Sequence, residues 1–136
     1  MRVMRRDFNL PENDRLFLEE LGRPWETVRD GSKQWAIMHE WPLCGGYNHR
    51  AVSVAVMIQP GYPDAQLDMI YVSPTLQRKD GKAIGALSSQ AICGQQCQRW
   101  SRHRTGTNPW RAGVDDLASH MALADHWFKR EFAERK

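Results

Sequence analysis

The residues from Ala51 to Ile58 constrain the fold more than any other part of the chain. Every second position carries a branched apolar side chain: Val52, Val54, Val56 and Ile58. Because successive side chains of a strand point to opposite faces of a sheet, this alternation predicts a strand with one strongly apolar face. Such a face needs a second layer of structure over it.

The flanking sequence predicts further strands on both sides of this one. Residues 25–29 and 34–38 flank Asp30-Gly31, a dipeptide suited to the tight turn of a hairpin. A fourth strand is predicted over residues 67–72, after the break at Gly61-Tyr62-Pro63. Together these segments predict a four-stranded antiparallel meander.

Two helices are predicted, one before and one after the strands. Residues 10–22 carry Pro11 and acidic residues in the first turn and end at Gly22. The second helix has apolar residues at three- and four-residue spacing: Val114, Leu117, Met121, Ala124 and Phe128. We expect both helices on the same side of the sheet, over its apolar face. With no repeat or linker in the sequence, residues 1–136 are expected to form one α+β domain.

The composition and the cysteines are typical of a cytoplasmic protein. Of the 136 residues, 41% are hydrophobic and 26% are charged, which is ordinary for a globular domain. No apolar run is long enough to span a membrane, and the N-terminal residues lack the apolar segment of a secretory signal. Cys44, Cys93 and Cys97 are odd in number, and the spacing of the last two is not that of a zinc knuckle. We therefore expect free thiols, no metal and no membrane partner.

The residues from Gln77 to Pro109 show no regular periodicity, and a long irregular segment inside a small domain is usually functional. Four arginines lie in its last part and just beyond it, with no acid between them: Arg99, Arg102, Arg104 and Arg111. This cluster has three interpretations: a solvated basic loop, a surface for an acidic partner, or a nucleic-acid surface with Trp100 and Trp110 stacking on bases. The net charge of only +3 and the lack of a nucleic-acid motif place the last of these behind the others.

The order of these elements resembles that of the ubiquitin-conjugating enzymes. Gly46-Tyr47 before the third strand and Gly61-Tyr62-Pro63 after it are similar to the glycine-rich entry and the Tyr-Pro signature of that fold. More specifically, the runs Gln98–His103 and Trp110–Asp115 resemble the bacterial family called prokaryotic ubiquitin-conjugating enzyme family E.

This resemblance implies a ubiquitin-conjugating (UBC-like) fold with a long active-site loop before the C-terminal helix. It implies a transferase that accepts the C-terminal acyl group of a ubiquitin-like protein from an adenylating, ThiF-like activating enzyme and passes it to a target. A JAB-type peptidase would belong to the same pathway, and no diffusible cofactor is implied. The contact with the activating enzyme is expected through the N-terminal helix and Arg2, Arg5 and Arg6. The competing hypothesis is a UBC-like module that binds the ubiquitin-like protein without transfer chemistry.

The first candidate for the acyl acceptor is a serine. The His-Pro-Asn tripeptide of eukaryotic members has no counterpart before Trp110, the tryptophan that leads directly into the last helix. An alignment on Trp110 places Ser101 at or next to the nucleophile position and His103 as its general base. Arg102 and Arg104 would then stabilise the oxyanion or bind the partner, and the intermediate would be an oxyester.

The second candidate is a cysteine, and the intermediate would then be a thioester. Either Cys97 or Cys93 would serve as a thiolate stabilised by the neighbouring arginines. The pairs Ile92-Cys93 and Trp100-Ser101 resemble the Ile-Cys and Trp-Ser pairs of the eukaryotic pattern. Without the resemblance, Cys93 fits a small core residue equally well. The other histidines lack metal-ligand spacing: His39, His49, His120 and His126. A chemical role is not expected for any of them, with His120 at the start of the last helix as the strongest candidate.

Overall fold

The computed structural model describes residues 3–134, which form two helices and six strands. In chain order these are α1 (Glu12–Glu20), β1 (Trp25–Asp30), β2 (Lys33–Pro42), β3 (Ala51–Ile58), β4 (Ile70–Ser73), β5 (Leu87–Ile92), β6 (Gln95–Trp100) and α2 (Leu117–Glu134). All neighbouring strands are antiparallel, in the order β1-β2-β3-β4-β6-β5. The α+β class is as predicted, but the sheet has six strands instead of four.

The additional strands come from the segment that the sequence predicted to be irregular. Residues 87–100 form a hairpin, with Leu87 paired to Trp100 and Ile92 paired to Gln95. Cys93 and Gly94 make its turn and have φ angles of +49° and +80°, the left-handed conformation that the common two-residue hairpin turns require. The prediction failed because the strands are rich in serine and glutamine, so they show no apolar alternation.

Both helices cover the same face of the sheet, as predicted. Leu18 of α1 and Met121 and Phe128 of α2 share one buried core with Val54 and Val56 of β3. The two helices also touch each other, because the backbone N–H of Leu117 donates a hydrogen bond of 3.1 Å to the buried Asp14 carboxylate. Neither helix is long and apolar enough to cross a membrane within the part of the chain that the structure describes.

Helix α2 begins at Leu117. The predicted apolar stripe began at Val114 and so included one residue that is not in the helix. The carboxylate of Asp116 accepts the Ser119 N–H at 3.0 Å, and the Ser119 hydroxyl accepts the Asp116 N–H at 3.0 Å. This reciprocal pair caps the helix and fixes its first turn. Val114 therefore lies in the preceding turn, where its side chain is 61% exposed.

The second face of the sheet is concave and encloses a core of its own. β1 and β5 are the two edges of the sheet, yet the Cys93 N–H at the β5–β6 turn donates a 2.8 Å hydrogen bond to Asp30 at the end of β1. The sheet is therefore curled until its edges meet at this end. Neither helix contributes to the buried cluster inside the curl: Val28, Trp35, Ala55, Tyr71, Ile92 and Cys97.

Two members of the predicted stripe provide a matched test of this packing. Met121→Ala should lower the free energy of unfolding by about 2–5 kcal/mol, because it leaves a cavity in the shared core. Val114→Ala should change it by no more than about 0.5 kcal/mol, since this side chain is exposed. Urea denaturation of both variants measures the difference. Equal losses would contradict the helix start described here.

Candidate functional site

The predicted catalytic residues are distributed along β6 and on either side of it. Cys93 is in the turn before this strand and Cys97 is within it, whereas Ser101 and His103 follow its last residue. A strand of this length spans roughly 20 Å, at about 3.3 Å per residue. The strand therefore separates Cys93 from Ser101, while Cys97 is a buried residue within it.

Ser101 and His103 are close in sequence but are not hydrogen-bonded to each other. Among residues 3–134 the Ser101 hydroxyl has no hydrogen-bond partner, while its backbone N–H donates to Ala86 at 3.1 Å. The Nδ1 of His103 lies 3.0 Å from both carboxylate oxygens of Asp68. Because a carboxylate only accepts, Nδ1 carries the proton, and Nε2 is left as an acceptor on a largely exposed ring. Asp68, which the sequence analysis missed, thus orients an imidazole that is not aligned with Ser101.

The arginines of this loop are paired with acidic residues of the helical side. Arg102 lies 3.2 Å from Glu131 of α2 and donates to the Gly85 carbonyl at 3.0 Å. The side chain of Arg104 is only 6% exposed and lies 3.7 Å from Asp115. Their charges therefore hold the loop against α2, and their role as oxyanion ligands stays a prediction.

The tryptophans of the loop explain why it carries these arginines. Arg102 stacks over Trp100 and Arg104 over Trp110, each with the guanidinium carbon 4.9 Å from the ring centre. Trp100 itself is completely buried, so its indole is not accessible to a nucleic-acid base. Arg102 and Arg104 are therefore packed and charge-paired, whereas the Arg111 side chain is largely exposed.

His120 is a buried structural residue. Its Nε2 donates to the Met69 carbonyl at 2.8 Å, just before β4, and its ring is fully enclosed. Burial in apolar surroundings lowers the pKa of this imidazole. It therefore holds α2 to the sheet as a neutral ring.

The three cysteines differ sharply in exposure. Cys97 is buried and Cys44 is half-buried, and in both cases burial raises the pKa of the thiol. Cys93 is exposed at the tip of the hairpin, with its Sγ 3.4 Å from Nη1 of Arg5. The left-handed conformation costs a residue with a β-carbon about 1 kcal/mol relative to glycine. The turn therefore holds an exposed thiol beside a cation. The backbone conformation at this position favours glycine over cysteine.

A cleft of about 330 Å³ opens on the concave face of the sheet beside this thiol. We call it the concave cleft; its polar lining residues include Arg5, His39, Ser53, Ser73, Cys93 and Gln95. Behind them lies Glu26, which is fully buried and touches His39 at 2.7 Å. The remaining walls are largely apolar, while Arg5 and Cys93 at the rim are open to solvent.

Arg5 belongs to this cleft as much as to the N-terminal surface. Its backbone N–H donates to Glu26 at 3.1 Å, and its guanidinium hydrogen-bonds to Asp7 as well as Cys93. Arg6 packs on the Trp25 ring at 3.3 Å. Arg2 lies outside the described residues. A contact of this basic segment with an activating enzyme remains a prediction.

Comparison with known protein families addresses the fold as a whole. The model of the family described as prokaryotic E2 family E matches residues 10–131. The chain belongs to this family. The match spans α1, the whole sheet and most of α2, so the β5–β6 hairpin lies within the family E region. No curated protein and no solved structure matches the chain.

Membership of family E gives the chain a ubiquitin-conjugating type of role, with a ubiquitin-like protein and an activating enzyme as its general kind of partner. It does not by itself select the acceptor among the cysteines and Ser101. In the described part of the chain, no three histidine, cysteine or acidic side chains are arranged to hold a metal ion.

Cysteine accessibility can be tested by alkylation. With limiting iodoacetamide at neutral pH, Cys93 should react first, because Cys44 and Cys97 are less exposed and have raised pKa values. Peptide mass spectrometry over a time course gives the order. Faster labelling of Cys97 would contradict the burial described here.

The buried imidazole makes the fold acid-sensitive. Since the pKa of His120 is lowered from 6.5 in the folded state, the unfolded chain binds the proton more readily. Stability should be complete above this value and should fall as the pH drops below it. Urea midpoints from pH 8 to pH 5 should therefore decline less in His120→Gln than in the wild type. The exposed His126→Gln on the same helix is the control; equal slopes in both variants would place the effect elsewhere.

Proposed function

We propose that this family E protein is a conjugating transferase that carries the C-terminal acyl group of a ubiquitin-like protein on Cys93. The acyl group would come from an adenylating activating enzyme and pass to a target side chain. The observation that supports this proposal best is the exposed Cys93 thiol with the Arg5 guanidinium 3.4 Å away. A thiolate is the reactive form of cysteine, and a neighbouring cation stabilises it.

The transfer needs only the exchange of one activated acyl bond for another. The Cys93 sulfur attacks the acyl carbon, a new S–C bond forms, and the bond to the leaving group of the activating enzyme breaks. The leaving group takes the electron pair, and the thiol proton passes to it or to water. Arg5 is close enough to the sulfur to stabilise both the thiolate and the negative charge that develops on the acyl oxygen.

Ser101 is the second candidate acceptor, and its setting is less suited to the task. A serine hydroxyl needs a base within hydrogen-bond reach, and that of Ser101 has none among the described residues. The feature near Ser101 that favours catalysis is the His103 imidazole, which Asp68 orients. Carboxylate pairing does not separate the two candidates, since Arg5 has such a partner as well as Arg102 and Arg104.

The acceptor can be identified by incubating the protein with its activating enzyme, ATP and the ubiquitin-like protein. Cys93→Ala should abolish a covalent adduct that excess thiol cleaves, while Cys44→Ala, outside the cleft, should retain it. Arg5→Gln should slow loading at least tenfold, as expected when a charge-stabilising group is removed.

Two other results would refute this assignment. An adduct that resists thiol but yields to hydroxylamine, and that disappears in Ser101→Ala, would make Ser101 the acceptor and the intermediate an oxyester. A folded wild-type protein that binds the ubiquitin-like protein but forms no adduct would be a binding module.

A further inference from the structure

A chain of hydrogen bonds crosses the concave face from β1 to β3. The Nε2 of His39 lies 2.7 Å from the Glu26 carboxylate, and its Nδ1 lies 2.7 Å from the Ser53 hydroxyl. We infer that Ser53, His39 and Glu26 form a second nucleophilic site, one that hydrolyses carboxylic esters with a short acyl chain. This inference does not depend on the proposed transferase activity, because it uses a different nucleophile.

The geometry assigns a role to each group. A carboxylate can only accept, so Nε2 of His39 carries the proton and donates it to Glu26. When the ring is neutral, Nδ1 is the acceptor, and the hydrogen bond at this nitrogen runs from the Ser53 hydroxyl. A nucleophile that donates to a base, and a base oriented by a carboxylate, is the arrangement by which serine becomes reactive at neutral pH. Among residues 3–134, Ser101 has no such partner.

The carboxylate is the most buried of the three groups, and the hydroxyl lies at the cleft. Glu26 is completely buried, the His39 side chain is 17% exposed, and Ser53 lines the concave cleft. The carboxylate is thus shielded while the hydroxyl faces the opening. Burying such a polar set is costly unless each member is hydrogen-bonded, and here each one is.

The cleft also contains donors suited to an oxyanion. Arg5 lines the same opening, and its backbone N–H holds the other carboxylate oxygen of Glu26 at 3.1 Å. Gln95 lines it as well and donates its amide N–H to Ser73, the residue paired with Ser53 across β3 and β4. A carbonyl group bound at Ser53 would therefore share the cleft with a cation and an amide, the two kinds of donor that stabilise an oxyanion.

The reaction is an ordinary two-step hydrolysis. The Ser53 oxygen attacks the ester carbon, its proton moves to Nδ1 of His39, and the alkoxide leaves with that proton as an alcohol. Water then attacks the Ser53 acyl ester, gives a proton to Nδ1 and releases the carboxylic acid as Ser53 regains its proton. Water is the only co-reactant. A cleft of about 330 Å³ with Val28, Ile37 and Tyr71 in its walls fits an acyl group of a few carbons.

The test uses p-nitrophenyl butyrate and a fluorophosphonate probe on the full chain. The wild type should hydrolyse the ester and carry the probe on the peptide that contains Ser53. Ser53→Ala should lose both, and His39→Gln should lower kcat roughly 10²–10⁴-fold. Glu26→Gln, which changes a positioning residue, should lower kcat while leaving KM unchanged. Ser32→Ala, which removes an exposed serine outside the cleft, is the matched control and should leave both rate and labelling unchanged.

Circular dichroism of each variant separates lost chemistry from lost structure. If Ser53→Ala is unfolded, Ser53→Cys keeps the size of the side chain and should exchange probe labelling for rapid alkylation at position 53. The inference is overturned if the folded wild type is neither labelled nor active, if the probe is found on another residue, or if hydrolysis survives in folded Ser53→Ala. Loss of ester hydrolysis in Ser53→Ala with retained thioester loading at Cys93 would separate this site from the transferase.

Discussion

The hydrogen bond between the Cys93 N–H and the Asp30 carboxylate closes the curl of the sheet, and the candidate chemistry depends on that curl. It joins the end of β1 to a turn that lies at the opposite side of the strand order. As a consequence the N-terminal segment beside β1 reaches the same turn, and Arg5 contacts Cys93 across 88 residues of sequence. In a flat sheet of the same strand order, the thiol, its cation and the inner core would be separated.

The parts of the fold that follow from local patterns were predictable. The alternation over β3 and the apolar stripe of α2 each mark one buried face, and a buried face is what hydrophobic periodicity detects. The Asp30-Gly31 dipeptide marks a tight turn. The β5–β6 hairpin was not predictable in this way, because its strands expose serine and glutamine on one side and contribute few core residues. Its best signal was the Cys93-Gly94 dipeptide, whose glycine fits a two-residue turn. Val114 shows the opposite error. It has the helical spacing of the stripe, but the cap at Asp116 comes after it, so Val114 is not in the helix.

The candidate sites show the same limit more strongly. Ser101 and His103 attract attention as sequence neighbours, yet neighbours in an irregular segment need not face each other. The proximity of Glu26 and His39 could be predicted in part, because the register of the β1–β2 hairpin places both side chains toward the concave side. Ser53 required the pairing of β2 with β3, where a bulge after Met38 shifts the register. Arg5 and Asp68 carry no local signal, since their partners lie 88 and 35 residues away.

The two faces of the sheet divide the work between stability and chemistry. On the helical face, the arginines that looked catalytic in the sequence are neutralised by Glu131 and Asp115 and stacked on tryptophan, which holds the loop and α2 in place. On the concave face neither of the two helices in residues 3–134 covers the opening, and hydrogen-bonded polar groups lie beside the buried apolar cluster. A buried polar network that is not needed to hold elements together is the kind of feature that function retains. This asymmetry, more than any single residue, is the reason why we propose the concave face as the place of the chemistry.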